Sequence, residues 1–241
     1  MLVAIPYYGA AEYVDKAVSS VLDQTHRDFV CLVVGDGETP PLSIHDDRLI
    51  VHSFPENRGA PFTQQAMLLG SPFQFYAPFG SDDWADPDHL EGLVHAPNVC
   101  VGSVWWHDTP EASPRRVGKV FEIGCWSTDD LRSIGGYGAQ ERMGQDSLML
   151  HIMARTIGYA TADKPTYHRV VRPGALGTSR ETRRNSPARI ALRRRNRDVA
   201  RQCQAMGWEI DNIRRYREGL IPQPLRHELM DRAGEIRRLL S

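Results

Sequence analysis

The segment that decides the fold is Phe73–Asp83, FQFYAPFGSDD, which runs from an apolar stretch into two adjacent acidic residues. The apolar part predicts a buried strand, and the two carboxylates follow directly where that strand ends. Two adjacent carboxylates at such a place are costly unless a cation meets them. A hard divalent cation with oxygen ligands is one such partner, and a solvated turn rich in Asp and Gly is the alternative.

Upstream of this segment, apolar runs alternate with helical patterns. Strands are predicted over 2–6, 29–34 and 49–52, and helices over 11–23 and 61–69. This alternation predicts an α/β fold with a mostly parallel sheet and helices on both faces. The turns after Ile5, Val34 and Phe79 all follow the carboxyl ends of predicted strands, which is where such sheets bind ligands.

The rest of the chain predicts a second half and a helical tail. Strands are predicted over 99–106, 119–126 and 167–171, and helices over 128–134 and 146–157, with further helices from residue 186 onward. We therefore expect a domain over 1–180, with a ligand-binding half at 1–95 and a second half at 96–180. Residues 181–241 are expected to form an Arg-rich helical extension.

Composition indicates a globular chain of 241 residues with a formal net charge of −1. Residues 169–241 contain 18 Arg and 8 acidic residues, whereas the preceding part is acidic. The sequence has neither a signal-peptide pattern nor an apolar run long enough for a membrane span. Four scattered cysteines favour buried, reduced thiols over disulfides or a zinc site, so a cytoplasmic location is expected.

Several motifs, taken in order, resemble one family. Val3–Tyr8, Ala17–Thr25 and Val33–Gly37 resemble the opening of GT-A fold glycosyltransferases of the large family-two type. Asn57–Ala60 and Gly80–Asp83 resemble the Asn-x-Gly segment and the acidic metal motif of that family. Ile134–Tyr137, followed by Gln145-Asp146, is similar to its Gly-Gly-Phe and Glu-Asp elements. The resemblance covers roughly residues 2–180.

The resemblance implies a GT-A, Rossmann-like fold and transfer of a sugar from a nucleoside-diphosphate donor to an acceptor hydroxyl. It further implies a UDP-sugar as the donor and Mn²⁺ or Mg²⁺ as the cofactor, held by Asp82 and Asp83. The chain departs from the family pattern at two positions, because Gly80 and Gln145 stand where acidic residues are usual.

For the donor, the resemblance implies that Asp36 accepts a hydrogen bond from the base, with an ordinary Asp-Gly turn as the alternative. Tyr8 is expected to stack on the base and Pro6 to shape the backbone beneath it. Arg58 is a candidate contact for the base or the diphosphate, and a solvated loop is its alternative. Arg172 is preferred as the residue that neutralises diphosphate charge.

For the acceptor, Asp146 is the candidate general base of an inverting displacement, with a helix N-terminal charge as the alternative. His168 is interpreted as a core histidine. Trp105 and Trp106 are candidate acceptor contacts, because alternation along a strand turns one of the two rings off the buried face. The loop over 172–179 is expected to close over the donor. The acceptor itself is not readable from the sequence.

A second class of function is a non-catalytic module of the same fold whose Arg-rich helices bind nucleic acid or an assembly partner. Asp36, Asp82, Asp83 and Asp146 argue against that reading, so nucleic-acid binding is not expected. A nucleotidyltransferase ranks third, since the turn after the first strand lacks a glycine-rich phosphate loop. The helix predicted over 224–240 has an apolar face that would pack on the domain or on another copy of the chain.

Overall fold

The structure, a computed structural model, describes residues 1–119, 122–172, 175, 179–183 and 185–241. Within them the strands are β1 (Leu2–Tyr7), β2 (Val30–Asp36), β3 (Leu49–Phe54), β4 (Phe75–Pro78), β5 (Trp84–Ala85), β6 (Val99–Val101), β7 (Ser103–His107), β8 (Arg115–Gly118), β9 (Gly124–Ser127), β10 (Ala160–Ala162) and β11 (Tyr167–Val170). The helices of the same residues are α1 (Val14–Leu22), α2 (Ala60–Gly70), α3 (Thr128–Ser133), α4 (Gln145–Thr156), α5 (Pro187–Ala205), α6 (Ile210–Gly219) and α7 (Gln223–Leu239).

The larger sheet has the strand order β10-β6-β9-β4-β1-β2-β3. Strands β1 to β4 run parallel to one another, and β9 is antiparallel to its neighbours β4 and β6. The predicted α/β fold with a mostly parallel sheet is confirmed. Strand β1 lies between β2 and β4. The turns that follow the carboxyl ends of these three strands are therefore neighbours at one edge of the sheet.

Period-two alternation along the central strands explains why both faces of this sheet are covered. Leu2 and Ala4 belong to one apolar core, and Val3 and Ile5 to the core on the opposite face. Alternate residues of strand β2 likewise belong to the two opposite cores. Because both faces of β1 and β2 are buried, their sequences are continuous apolar runs. Helix α1 packs into the second core, whereas α2 packs into the first.

The C-terminal helices complete the first core. Their apolar residues there include Cys203, Ile213, Leu229 and Ile236. Helix α7 lies so close to α2 that a Cβ at Gly70 would come within 2.5 Å of the Ala233 carbonyl oxygen. The described helices include none with the length and apolar character needed to cross a membrane. All four cysteines are free and buried, as predicted.

A smaller sheet, of order β5-β11-β7-β8, lies beside the first. Strand β11 is antiparallel to β5, where Tyr167 pairs with Ala85 and His168 with Trp84, and it is parallel to β7. Since β5 directly follows Asp82-Asp83, this pairing sets the end of β11 against the acidic pair.

Some predicted boundaries were wrong. The strand predicted over 99–106 divides at Gly102 into β6 and β7, which belong to different sheets. The strand predicted over 119–126 begins only at Gly124, and residues 120 and 121 lie outside the described residues. The short strands β5 and β10 were not predicted. The predicted closing loop over 172–179 lies largely outside the described residues.

Candidate active site

The predicted donor residues lie at the carboxyl edge of β1, β2 and β4. Tyr8 follows β1 with a side chain 56% exposed, and Pro6 pairs in register with Val34 of β2. Asp36 is the last residue of β2, and Asp82 follows β4. The structure therefore brings these residues to one edge of the sheet, although their predicted contacts with a nucleotide stay predictions.

Asp36 is held in a fixed orientation by the turn that begins α2. Its Oδ1 accepts the backbone N–H of Arg58 and its Oδ2 that of Gly59, both at 2.8 Å. The carboxyl is 2% exposed, and burial raises its pKa while these two N–H groups oppose the rise. The predicted contact with a base stays a prediction, because this buried carboxylate already accepts two backbone N–H groups.

Arg58 is directed towards the C-terminal helix. Its Nε lies 3.0 Å from Oε1 of Glu228 on α7, and its Nη2 lies 2.9 Å from Oε2 of the same carboxylate. A second carboxylate, that of Glu56, lies 2.8 Å from Nη2. The guanidinium charge is therefore already paired, and binding a diphosphate would require this fork to be exchanged.

Asp82 and Asp83, although adjacent, have different environments. Asp83 is 4% exposed, its Oδ2 accepts the Tyr167 hydroxyl at 2.9 Å, and its Oδ1 accepts the Val170 N–H at 3.3 Å. Nε of Arg169 lies 3.6 Å from the same Oδ2. Burial raises the pKa of Asp83 to about 7, with Arg169 opposing and Asp82 adding to the rise.

Asp82 pairs with Arg172, which follows β11. The Arg172 Nε donates to Oδ2 of Asp82 at 2.7 Å, and the two side chains are 14% and 24% exposed. The Arg172 Nη2 also donates to the carbonyl oxygen of Tyr8 at 3.3 Å. Arg172 thus lies between the turn after β1 and the acidic pair, and its predicted role in neutralising diphosphate charge stays a prediction.

The acidic pair does not fit the divalent cation that the resemblance implied. Asp83 is 4% exposed with Nε of Arg169 3.6 Å from its Oδ2, and Oδ2 of Asp82 accepts a hydrogen bond from the charged Arg172. Over the described ranges, no group of three or more His, Cys, Asp or Glu side chains is arranged to hold a metal. A Cβ at Gly80 would meet Oδ2 of Asp83 at 2.5 Å, which explains why no third carboxylate stands there.

A second acidic cluster contains the candidate base. Asp146 lies in the first turn of α4, and its Oδ1 is buried with no partner in the structure. The Glu122 carboxyl lies close enough to Asp146 for each to feel the charge of the other, and its side chain is 18% exposed. Burial, and next the charge of Asp146, raises the pKa of Glu122 to about 7. Two carboxyl groups in contact favour one shared proton.

Arg169 connects the two clusters. In addition to Asp83, its guanidinium lies near Glu122, with 3.7 Å between Nη1 and Oε1. Burial opposes the charged form, but the carboxylates of Asp83 and Glu122 outweigh it and raise the pKa of Arg169 above its ordinary value. Arg169 therefore stays charged and compensates carboxylates on both sides.

Unpartnered polar atoms surround the second cluster. In the part of the chain that the structure describes, the Tyr137 hydroxyl and the Trp106 Nε1 are buried without hydrogen-bond partners, as is Oδ1 of Asp146. The Trp106 ring lies 6.0 Å from the Arg169 guanidinium. Burial, then the charges of Glu122 and Asp146, raises the pKa of Tyr137 well above its ordinary value. Buried polar atoms need partners, and substrate hydroxyls or water would supply them here.

The C-terminal helices support the candidate base. Asn196 of α5 donates to the carbonyl oxygen of Gly144 at 3.0 Å and accepts from the Gln145 amide at 3.5 Å. Both contacts are made at the N-terminus of α4, next to Asp146. The Arg-rich extension therefore holds the backbone on which the candidate base is carried.

The remaining predicted residues have their own partners. Trp105 donates from Nε1 to the Pro165 carbonyl oxygen at 2.8 Å, so of the two tryptophans only Trp106 borders the acidic cluster. His168 lies between His107 and Asp86, at 3.0 Å from each, in agreement with its interpretation as a core histidine. Acceptor binding by Trp105 or Trp106 stays a prediction.

Sequence reasoning missed Glu122, Arg169 and Tyr167. Glu122 stands alone among apolar residues in the run Val120–Trp126, and Arg169 lies inside a predicted strand. A lone charge within an apolar run indicates a buried ion pair, and this signal was available. The identity of the partners was not, because it depends on how β11 pairs with β5.

Comparison with known proteins agrees with this fold. No family model matches the sequence. Over 114 residues, 43% of this chain, it is 25% identical to glycosyltransferase GlyA of Streptococcus pneumoniae, and the match spans 16% of that protein. The chain therefore spans less than one fifth of the length of this curated relative.

Two solved structures of S. aureus TarS 1–349 share the architecture. The complex with UDP-GlcNAc has a TM-score of 0.58 at 14% identity, covering 98% of this chain and 73% of that one. The complex with UDP has a TM-score of 0.51 at 14% identity, covering 99% and 89%. This chain thus has the GT-A-like fold of known glycosyltransferase structures, as the sequence motifs predicted.

Proposed function

We propose that this chain is a glycosyltransferase that moves a sugar from a nucleoside-diphosphate donor to an acceptor hydroxyl. The observation that carries the proposal is the pair of clusters joined by Arg169 in the crevice of a GT-A-like fold. One cluster presents arginine charge at the carboxyl ends of the strands, and the other presents a buried carboxylate with an unpartnered oxygen. These are the two functions that the transfer requires, charge neutralisation and proton removal.

The donor is assigned to the edge formed by β1, β2 and β4. Asp36 would accept from the base, Tyr8 would stack on it, and Arg172 would contact the diphosphate. A UDP-sugar is the favoured donor, because the TarS structure with the same fold is a complex with UDP-GlcNAc. Hexosyl transfer to a glycan, protein or small-molecule acceptor is included in this proposal.

Asp146 is assigned as the base of an inverting displacement. The acceptor hydroxyl gives its proton to Oδ1 of Asp146 while its oxygen bonds to the anomeric carbon. The bond from that carbon to the diphosphate oxygen breaks, and its electron pair leaves with the diphosphate. Glu122, whose pKa burial and the charge of Asp146 raise to about 7, is assigned as the partner that holds a proton beside Asp146.

Donor turnover tests the proposal without knowledge of the acceptor. Water can replace the acceptor, so nucleoside-diphosphate release is measured for a panel of UDP-, GDP-, ADP-, CDP- and dTDP-sugars with the full chain. We expect one nucleotide class to be turned over above the rate without protein. If no donor is hydrolysed or bound, glycosyl transfer by this chain is contradicted.

A further inference from the structure

Each carboxylate of the acidic pair is already matched with an arginine next to it. Asp82 receives Arg172 at 2.7 Å, and Asp83 has Arg169 at 3.6 Å. Each carboxylate thus has a guanidinium charge beside it, and these guanidinium groups would repel a divalent cation placed at the pair. A cation site of this kind normally depends on uncompensated carboxylates.

The pairing of Asp83 is part of the fold. The Tyr167 hydroxyl and the Val170 N–H both come from β11, whose position is set by its pairing with β5 and β7. Asp83 is only 4% exposed and has Nε of Arg169 3.6 Å from its Oδ2, so it is poorly placed to meet a metal ion that enters from solvent. Asp82 is then the one carboxylate of the pair within reach of a donor.

Arg172 lies where a diphosphate would arrive. It spans from Asp82 to the carbonyl oxygen of Tyr8, and so covers the gap between the ends of β4 and β1. A guanidinium is permanently charged, is planar, and can bind two phosphate oxygens at once. An arginine placed here can carry out the charge neutralisation for which the resemblance implied a metal ion.

We propose that Arg172 takes the place of the divalent cation, so that the nucleoside diphosphate binds to this chain without a metal. Asp82 then orients Arg172 instead of coordinating an ion. This inference rests on the proposed function, because the diphosphate is that of the nucleotide-sugar donor.

Calorimetric titration tests the inference with the full chain. UDP, GDP, ADP, CDP and dTDP serve as probes, each in buffer with EDTA and in buffer with excess Mn²⁺. We expect at least one nucleotide to bind with dissociation constants that agree within about threefold between the two buffers. Arg172→Gln should weaken that binding about tenfold or more in both buffers, and Arg172→Lys should weaken it less.

Two further variants separate the arginine from a metal site. Asp82→Asn should change affinity by the same factor in EDTA and in Mn²⁺, because Asp82 acts on Arg172 and not on a metal ion. Arg201→Gln is the matched control for loss of an arginine charge, since Arg201 is 75% exposed and pairs with Asp198 on the same helix. It should leave binding unchanged.

The outcomes distinguish this inference from the proposed function. Binding that requires Mn²⁺ and is lost in Asp82→Asn overturns the inference and leaves the proposed function in place. The absence of binding by all five nucleotides in both buffers overturns both. Circular dichroism checks that Arg172→Gln folds. If it does not fold, Arg172→Lys takes its place. Unchanged affinity in Arg172→Lys, together with metal-dependent binding by the wild type, then overturns the inference.

Discussion

The two acidic clusters on either side of Arg169 contain the same kinds of side chain but differ in charge balance. Around Asp82 and Asp83, Arg172 and the shared Arg169 lie beside the two carboxylates, which also accept hydrogen bonds from protein groups. Glu122 and Asp146 both lie near one guanidinium group, that of Arg169. Buried polar atoms around them have no hydrogen-bond partner among the described residues. The first arrangement suits an incoming anion, whereas the second suits a proton and a hydroxyl group.

The largest effect is expected from the second cluster. Asp146→Asn removes the proposed proton acceptor and should lower donor turnover about 10²- to 10⁴-fold, the usual contribution of a general base. Asp129→Asn is the matched control, because Asp129 also lies in the first turn of a helix but is 94% exposed. Equal losses in both variants would mean that Asp146 acts only as a helix N-terminal charge.

The next effect distinguishes the two members of the acidic pair. Asp83→Ala leaves Arg169 partly uncompensated in a buried site and should lower the free energy of unfolding by about 3–5 kcal/mol. Asp82→Ala, whose side chain is 24% exposed, should cost about 1 kcal/mol or less. Urea denaturation measures both. Similar costs for the two variants would contradict the division between a buried and an accessible carboxylate.

A smaller effect depends on pH. The pKa of Glu122, about 7 when folded, exceeds its ordinary value of 4.5, so the folded state binds the proton more tightly. This contribution to stability is complete below the ordinary value and is lost as the pH rises through 7.

Because glutamine does not ionise, Glu122→Gln should raise Tm at pH 8 relative to the wild type and have little effect at pH 5. A rise of about 2–4 °C corresponds to 1 kcal/mol in a chain of this size. Thermal denaturation followed by circular dichroism at the two pH values measures it. An identical change in Tm at both would show that the carboxyl does not titrate in this range.

The smallest effect is expected outside both clusters. Arg58→Gln breaks the fork to Glu228, but the Arg58 side chain is 39% exposed and its charge is screened by solvent, so the loss of stability should be small. Donor affinity should change by less than threefold or so if Arg58 does not contact the diphosphate. A tenfold loss of UDP affinity would instead restore the role that the sequence predicted for it.

The sequence predicted the large sheet well because local signals determine it. Strands β1 and β2 are apolar on both faces, and the residues after them are acidic or glycine-rich, so the edge at which Asp36 and Asp82 lie could be inferred. Helix boundaries agreed within a few residues for the same reason.

The smaller sheet could not be predicted in this way. Strand β5 has two residues, and its partner β11 lies about 80 residues later in the chain. Local patterns carry no information on such a pairing, yet it places Arg169 and Tyr167 on Asp83. The metal site was predicted from the acidic motif and the family resemblance. Arg172 was predicted as a diphosphate contact, but its pairing with Asp82, and that of Arg169 with Asp83, depend on tertiary structure.

A crystal structure of the chain with the nucleoside diphosphate that binds most tightly, obtained with EDTA, tests the division between the two clusters most directly. We predict diphosphate oxygens within hydrogen-bonding distance of Arg172 and no metal between them and Asp82. A nucleotide bound elsewhere on the chain, or a diphosphate directed away from Arg172, would contradict it.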